Sequence, residues 1–326
     1  MDTFLFALNA VLPLVILIAL GYLLKCTKIV SGDFFKQANK LVFKLFLPVT
    51  LFLNIYKIES IANIDLKTPL FALGAVIAVF FLGLIVALIF FKDGRERGAV
   101  WQGVFRSNYA ILGIPLAGLI FGEEGTSVAS ILSAVVVPAF NILAVIALSI
   151  FRGNGEKPQF KKVCLDICKN PLIHGVLLGI VALLIRFIFV KTNVSFRISE
   201  VDFLYKSLTY IGNVTTPLSL IVLGGQFEFS SFKNSKKSII IATFTRLIVV
   251  PAFVLTVACL AFGFRGASVV AFIAAFGSPI AVSSAIMAQE MGADGELAGS
   301  LVVSTTIGSV FSLTLIIAIV KALAII

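Results

Sequence analysis

Ionisable chemistry is what this chain has least of. Only 13% of its 326 residues are charged, and it holds one histidine and four cysteines. His174 follows Asn170-Pro171 at a predicted helix start and reads as an interfacial side chain. Cys164 and Cys168 stand four apart without histidine partners, which is not zinc-site spacing. No metal and no cofactor are expected. His-Glu-x-x-His, Gly-x-Ser-x-Gly, a phosphate-cradling glycine loop and an intramembrane Asp pair are all missing, so no enzyme is expected. Asn193-Val194-Ser195 and Asn213-Val214-Thr215 match the glycosylation pattern only weakly.

Carboxylates are scarce where they would matter most. Nearly all of the sixteen acidic residues fall at loop or helix-end positions, and Glu290 alone lies near the end of an apolar run. A cation or proton exchanger needs an anionic partner near the membrane centre. Its absence argues against cation transport.

What the chain does have is apolar length. It is 60% hydrophobic, with a mean hydropathy of +1.11, outside the range of soluble domains. Runs of eighteen or more apolar residues recur, which predicts a polytopic all-α membrane protein whose first partner is the lipid bilayer. The short alternating segments of a β-barrel are not seen. The net charge of +10 sits in particular loops, so it reads as topology and not as nucleic-acid affinity.

The pattern predicts ten transmembrane spans at 4–24, 39–57, 69–91, 99–121, 127–151, 171–190, 204–224, 237–262, 267–289 and 297–324. The first is too long for a cleavable signal peptide and carries Asp2 where a basic flank belongs. Lys and Arg concentrate in the loops after odd-numbered spans, which puts those loops in the cytoplasm and both termini outside. The Lys-rich stretch from Arg152 to Lys169 is the natural seam between five-helix halves, 1–160 and 161–326. Five spans per half force the second half to enter the bilayer upside down, giving an inverted repeat.

Two matched interruptions organise the rest. Leu112-Gly113-Ile114-Pro115 and Phe276-Gly277-Ser278-Pro279 each place a Gly-x-Pro in mid-span, in spans 4 and 9. Proline removes a backbone donor and clashes with the carbonyl four residues back, while glycine allows unwinding. One such break reads as a kink. A matched pair in two halves points to a transporter's binding site. Pro48 and Pro217 form a second matched pair. The half-helices opened by Pro115 and Pro279 would aim free N–H groups at an anion. Candidate site residues are Asn108, Tyr109, Gly113, Pro115, Gly277, Ser278, Pro279, Ser283, Thr50, Asn141 and Arg246, with Ser284, Asn54, Thr216 and Ser219 as further polar neighbours. Lys44 reads as a snorkelling cation, whereas Arg106 and Arg246 leave snorkelling and a role at the site both open.

Ser107-Asn108-Tyr109-Ala110-Ile111-Leu112-Gly113-Ile114-Pro115-Leu116 resembles the crossover motif of the auxin efflux carrier family, which takes in PIN-type carriers and bacterial malate or malonate permeases. Ala288-Gln289-Glu290-Met291 is similar to that family's Ala-x-Glu-Tyr segment before the last helix. The resemblance implies a 5+5 inverted repeat of the bile-acid-transporter and sodium–proton-antiporter type. It also implies a scaffold of spans 1, 2, 6 and 7, and a transport domain of spans 3–5 and 8–10. An elevator-type movement, a homodimer through the scaffold and substrate contacts at Asn108 and Pro115 follow from it as well. The short central loop departs from the long plant form, so the resemblance implies a compact bacterial-type permease of the inner membrane and not a plant auxin carrier. The expected function is a secondary carrier of a small organic anion, a carboxylate. The alternative is a sodium-coupled organic-anion symporter of the bile-acid type. A membrane sensor would need an output domain, and an intramembrane enzyme a nucleophile–base pair.

Overall fold

The computed structural model describes residues 2–57, 66–151, 165, 167–192, 197–228 and 235–326. The expected seam at 160/161, Cys164 and the Asn193-Val194-Ser195 sequence lie outside the described residues. Helices account for almost all the rest. They are α1 (Asp2–Cys26), α2 (Gly32–Leu41), α3 (Leu47–Tyr56), α4 (Lys67–Phe90), α5 (Gly94–Phe105), α6 (Ile114–Ile150), α7 (Pro171–Lys191), α8 (Asp202–Gln226), α9 (Lys236–Phe244), α10 (Val250–Thr256), α11 (Ala267–Phe272), α12 (Ser283–Glu290) and α13 (Gly295–Ala322).

Seven described stretches are long and apolar enough to cross a membrane, and Val11–Cys26 and Ala267–Gly277 are shorter apolar helices. The expected ten spans do not all stand apart in that count. The second part of span 4 and nearly all of span 5 share the single stretch Tyr109–Ile150, while the first part of span 4 lies in α5. That stretch is broken at Phe121 (φ −134°) and Gly122 (φ +62°), and only glycine takes such a positive φ without strain. Span 9 is split in two, as described below.

Local chemistry explains where helices start. Asp93 and Asp294 cap α5 and α13, their carboxylates accepting from Glu96 N at 3.0 Å and Leu297 N at 2.9 Å. Three prolines, Pro48, Pro115 and Pro251, occupy the first turn of an α-helical section that follows a π-helical turn, at Val42–Phe46, Tyr109–Gly113 and Thr245–Val249. The wider turn shifts the carbonyls that a proline ring would otherwise meet. Pro48 therefore sits in a continuing helix.

In lipid, close backbone approach replaces the hydrophobic drive for helix association. α1 and α8 approach so closely that a Cβ on Gly21 would come 2.0 Å from Ile221 O, and one on Gly224 1.9 Å from Ile18 O. α3 lies on α7 in the same manner, with Gly175 against the Pro48 backbone. A second set packs α4 on α5 and α6, α11 on α6, and α12 and α9 on α13. Trp101 of α5 is fixed there by donating Nε1–H to Phe80 O of α4 at 2.7 Å. Among the described residues there is no β-strand, and one isolated antiparallel bridge joins Ser107 to Ile280.

Candidate functional site

That bridge lies where two helices are interrupted. The first runs through α5, loses helical geometry at 106–108 and resumes at Tyr109. The second runs through α11 and the π-helical turn Ile273–Gly277, loses it at 278–282 and resumes at Ser283. Asn108 N donates to Pro279 O at 2.8 Å, so each break supplies the other's hydrogen-bond partner. α5 is 12 residues long, which at the α-helical rise carries Arg106 about 18 Å from the helix start, more than half of a ~30 Å hydrocarbon layer.

The expected position of the first break needs correction. Helix restarts six residues before Pro115, because the π-helical turn accommodates the proline. Gly113 lies inside that turn, against the backbone of Ala274, where a Cβ would come 2.6 Å from Ala274 O. In the second helix the break does lie at Ser278-Pro279, but Pro279 sits within the link and does not open the next helix. Its carbonyl is what the first break uses.

A cavity of about 240 Å³ opens beside the two breaks. Thr50, Asn108, Tyr109, Asn141 and Ser283 line it, as do Asn54, Arg106, Ser107, Thr216 and Ser219, while Gly113, Pro115, Gly277, Ser278, Pro279 and Arg246 do not. No acidic side chain lines it. Both restarting helices present their first residues to it, Tyr109 to Ile111 on one side and Ser283 on the other. Helix starts carry unsatisfied N–H groups and a partial positive charge.

Arg106 and Asn108 dominate its chemistry. The Arg106 guanidinium, 4% exposed, donates Nη2–H to Asn141 Oδ1 at 2.7 Å and Nη1–H to Ser284 Oγ at 3.2 Å. Both partners are neutral, and no ion pair among the described residues includes Arg106. Asn141 is held in turn by donating one Nδ2–H to Val137 O at 2.7 Å, so its amide orients the arginine and keeps a second N–H. Asn108 Nδ2 and Ser107 Oγ are buried and make no hydrogen bond within the protein. Leaving a buried donor unmade costs about 1–3 kcal/mol, and a ligand acceptor in the cavity would satisfy Asn108. Tyr109 lines the cavity, but its hydroxyl donates to Ala129 O at 2.7 Å. Thr50 Oγ1 is engaged by Thr215 Oγ1 at 2.7 Å and by Phe46 O at 2.9 Å.

Arg246 is placed differently from a substrate ligand. It is wholly buried and lies outside the cavity, with every guanidinium N–H on a backbone carbonyl. Nε donates to Ser278 O at 3.1 Å, Nη1 to Val104 O and Phe105 O at 3.2 and 3.3 Å, and Nη2 to Ser278 O at 2.7 Å and Ala275 O at 3.4 Å. Those carbonyls end the first segment of each interrupted helix, where the dipole is negative. Two helix C-termini thus serve as the counter-charge for a buried cation. Sequence reasoning saw Arg246 as a charge in an apolar run but could not see the carbonyls, which are exposed only by breaks in other spans. It also passed over Ser107, whose only signal was its place between Arg106 and Asn108.

Comparisons with known proteins agree with one another. The profile of a family described as membrane transport protein matches residues 6–317. An uncharacterized transporter of Methanocaldococcus jannaschii is 28% identical over 253 residues, 76% of this chain and 78% of that protein. One from Methanothermobacter thermautotrophicus is 24% identical over 310 residues, 94% and 96% of the two chains. The uncharacterized transporter YfdV of Escherichia coli is 24% identical over 257 residues, 77% and 78%.

Proposed function

The chain belongs to the auxin efflux carrier-like membrane transport protein family, and on that premise we propose that it is a secondary carrier of a small organic anion, a carboxylate, bound in the cavity between the two interrupted helices. The observation that carries this reading is the pairing of Arg106, a buried cation with neutral partners, with the unpartnered Asn108 Nδ2 on a cavity wall free of acids. A carboxylate accepts from both groups at once, and charge-assisted bonds to a guanidinium are the strong kind. The two helix starts add positive potential. A cation in the same place would meet an arginine and no anion.

Movement of the site is the finer part of the proposal. In this reading α1, α3, α7 and α8, joined by close glycine contacts, form a scaffold, and the interrupted helices with α4 to α6 and α9 to α13 move past it as crossover helices in an elevator cycle. Substrate counterflow in proteoliposomes tests the site, with a panel of labelled mono- and dicarboxylates. Wild-type protein is expected to exchange at least one of them, and Arg106→Gln and Asn108→Ala to lose that exchange while remaining folded. Unchanged exchange in both variants would remove the site assignment.

A further inference from the structure

A second polar site lies at the opposite end of α12. Asn39 of α2 is completely buried and donates Nδ2–H to Glu290 Oε1 at 2.7 Å. Its Oδ1, on the same carboxamide, is buried and has no hydrogen-bond partner. A carboxylate can only accept, so it matches half of a primary amide. A neutral carboxylic acid has one donor and one acceptor side by side, and it matches both halves. We propose that Glu290 and Asn39 form a proton-binding site, in which the protonated Glu290 carboxyl donates to Asn39 Oδ1 and accepts from Asn39 Nδ2. A metal cation fits this pair poorly, because the amide turns its N–H group towards the carboxylate.

Glu290 itself is half-buried, so water reaches this residue from outside the protein. Gln289, next to Glu290, lines a cavity of about 800 Å³ bounded by residues of α1, α2, α5, α8, α12 and α13. Hydronium reaching Glu290 would transfer a proton to its carboxylate and leave as water. The elements packed against α12 are α2, the Val42–Phe46 turn, α5, α8 and α13. They carry Asp33, Lys36 and Lys40 on α2, Lys44 in the turn, Arg95, Glu96 and Arg97 on α5, and Glu296 and Lys321 on α13, with Asp202 and Lys206 of α8 paired to each other. No ion pair among the described residues includes Glu290, and Lys36 lies beside Asp33. Glu96 accepts from Ser238.

α12 begins at Ser283 on the substrate cavity and ends at Glu290 against α2. Proton binding would therefore strengthen the contact between α2 and the helix that carries part of the site. That coupling to transport rests on the carrier reading, whereas proton binding itself does not.

Infrared difference spectra between acid and neutral pH, on the purified full chain in lipid, test the proton site without any substrate. The wild-type spectrum is expected to contain one carboxylic C=O band that Glu290→Gln lacks and that Asn39→Ala displaces. Glu290→Gln replaces the neutral acid by an amide able to make both bonds. It should unfold at or above the wild-type temperature at neutral pH, and with a smaller gain on acidification. A spectrum unaltered by Glu290→Gln, or a Glu290 band indifferent to Asn39, would overturn the proposal, as would equal acid stabilisation of wild type and Glu290→Gln. Loss of counterflow in Arg106→Gln leaves this result untouched, so the two readings fail separately.

Discussion

Replacing Arg246 by methionine should unfold the junction of the two breaks, and the size of the effect can be worked from its partners. Four carbonyls, of Val104, Phe105, Ala275 and Ser278, accept from its guanidinium. Orphaning buried polar groups costs about 1–3 kcal/mol each, so the gross loss is about 4–12 kcal/mol. Against this, methionine no longer buries a charge, a relief of several kcal/mol. The net expectation is a loss of about 3–5 kcal/mol, the range found when one member of a buried charged set is removed. On the scale of soluble domains that lowers the unfolding temperature by on the order of 10 °C. Arg246→Lys keeps the charge but has three donors for four carbonyls, so its loss should fall between wild type and Arg246→Met. Thermal unfolding in detergent, followed through Trp101 fluorescence, reads both. Carboxylate affinity, where the Lys variant folds, should be close to wild type, since Arg246 does not reach the cavity. An Arg246→Met protein as stable as wild type would refute the clamp. Selective loss of affinity in a stable Arg246→Lys protein would return the residue to the substrate site.

Other positions give separate expectations. Gly224→Val places a side chain where Ile18 O already approaches a Cβ position to 1.9 Å, so α1 and α8 must part; a stability loss of at least about 1–3 kcal/mol is expected by denaturant or thermal unfolding. Asn141→Leu removes the acceptor that orients Arg106 and is expected to weaken carboxylate exchange about tenfold or more in KM in the counterflow assay. Pro115→Ala is expected to retain more exchange than Asn108→Ala in the same counterflow assay, because Pro115 lies past the restart of the helix and outside the cavity.

The apolar runs and the matched Gly-x-Pro pairs made the membrane class and the two interrupted helices legible from composition and proline chemistry alone. The first break was placed too far along, because a proline in the first turn after a π-helical turn does not interrupt the helix; the loss of helix at 106–108 follows from Asn108 bonding Pro279 across the molecule. Thr50, Asn108, Tyr109, Asn141 and Ser283 were found as polar residues on apolar helices, and they do share one cavity. Which of their polar atoms face it unsatisfied was not legible, since Tyr109 and Thr50 meet partners 20 and 165 residues away. Arg106 and Arg246 looked alike as cations in apolar runs. Their different surroundings, a polar cavity for one and two helix ends for the other, arise only from tertiary structure. Asn39 and Glu290, 251 residues apart, carried no sequence signal of their contact.

The most direct measurement is ligand-dependent unfolding of the purified protein across a panel of carboxylates and organic cations, with Arg106→Gln alongside. A ligand at one hundred times its Kd stabilises the native state by about 2.7 kcal/mol. At least one carboxylate should raise the wild-type transition by an amount of this order and leave Arg106→Gln unmoved. Stabilisation by cations alone, or by a carboxylate equally in both proteins, would contradict an anion held at the junction of the interrupted helices.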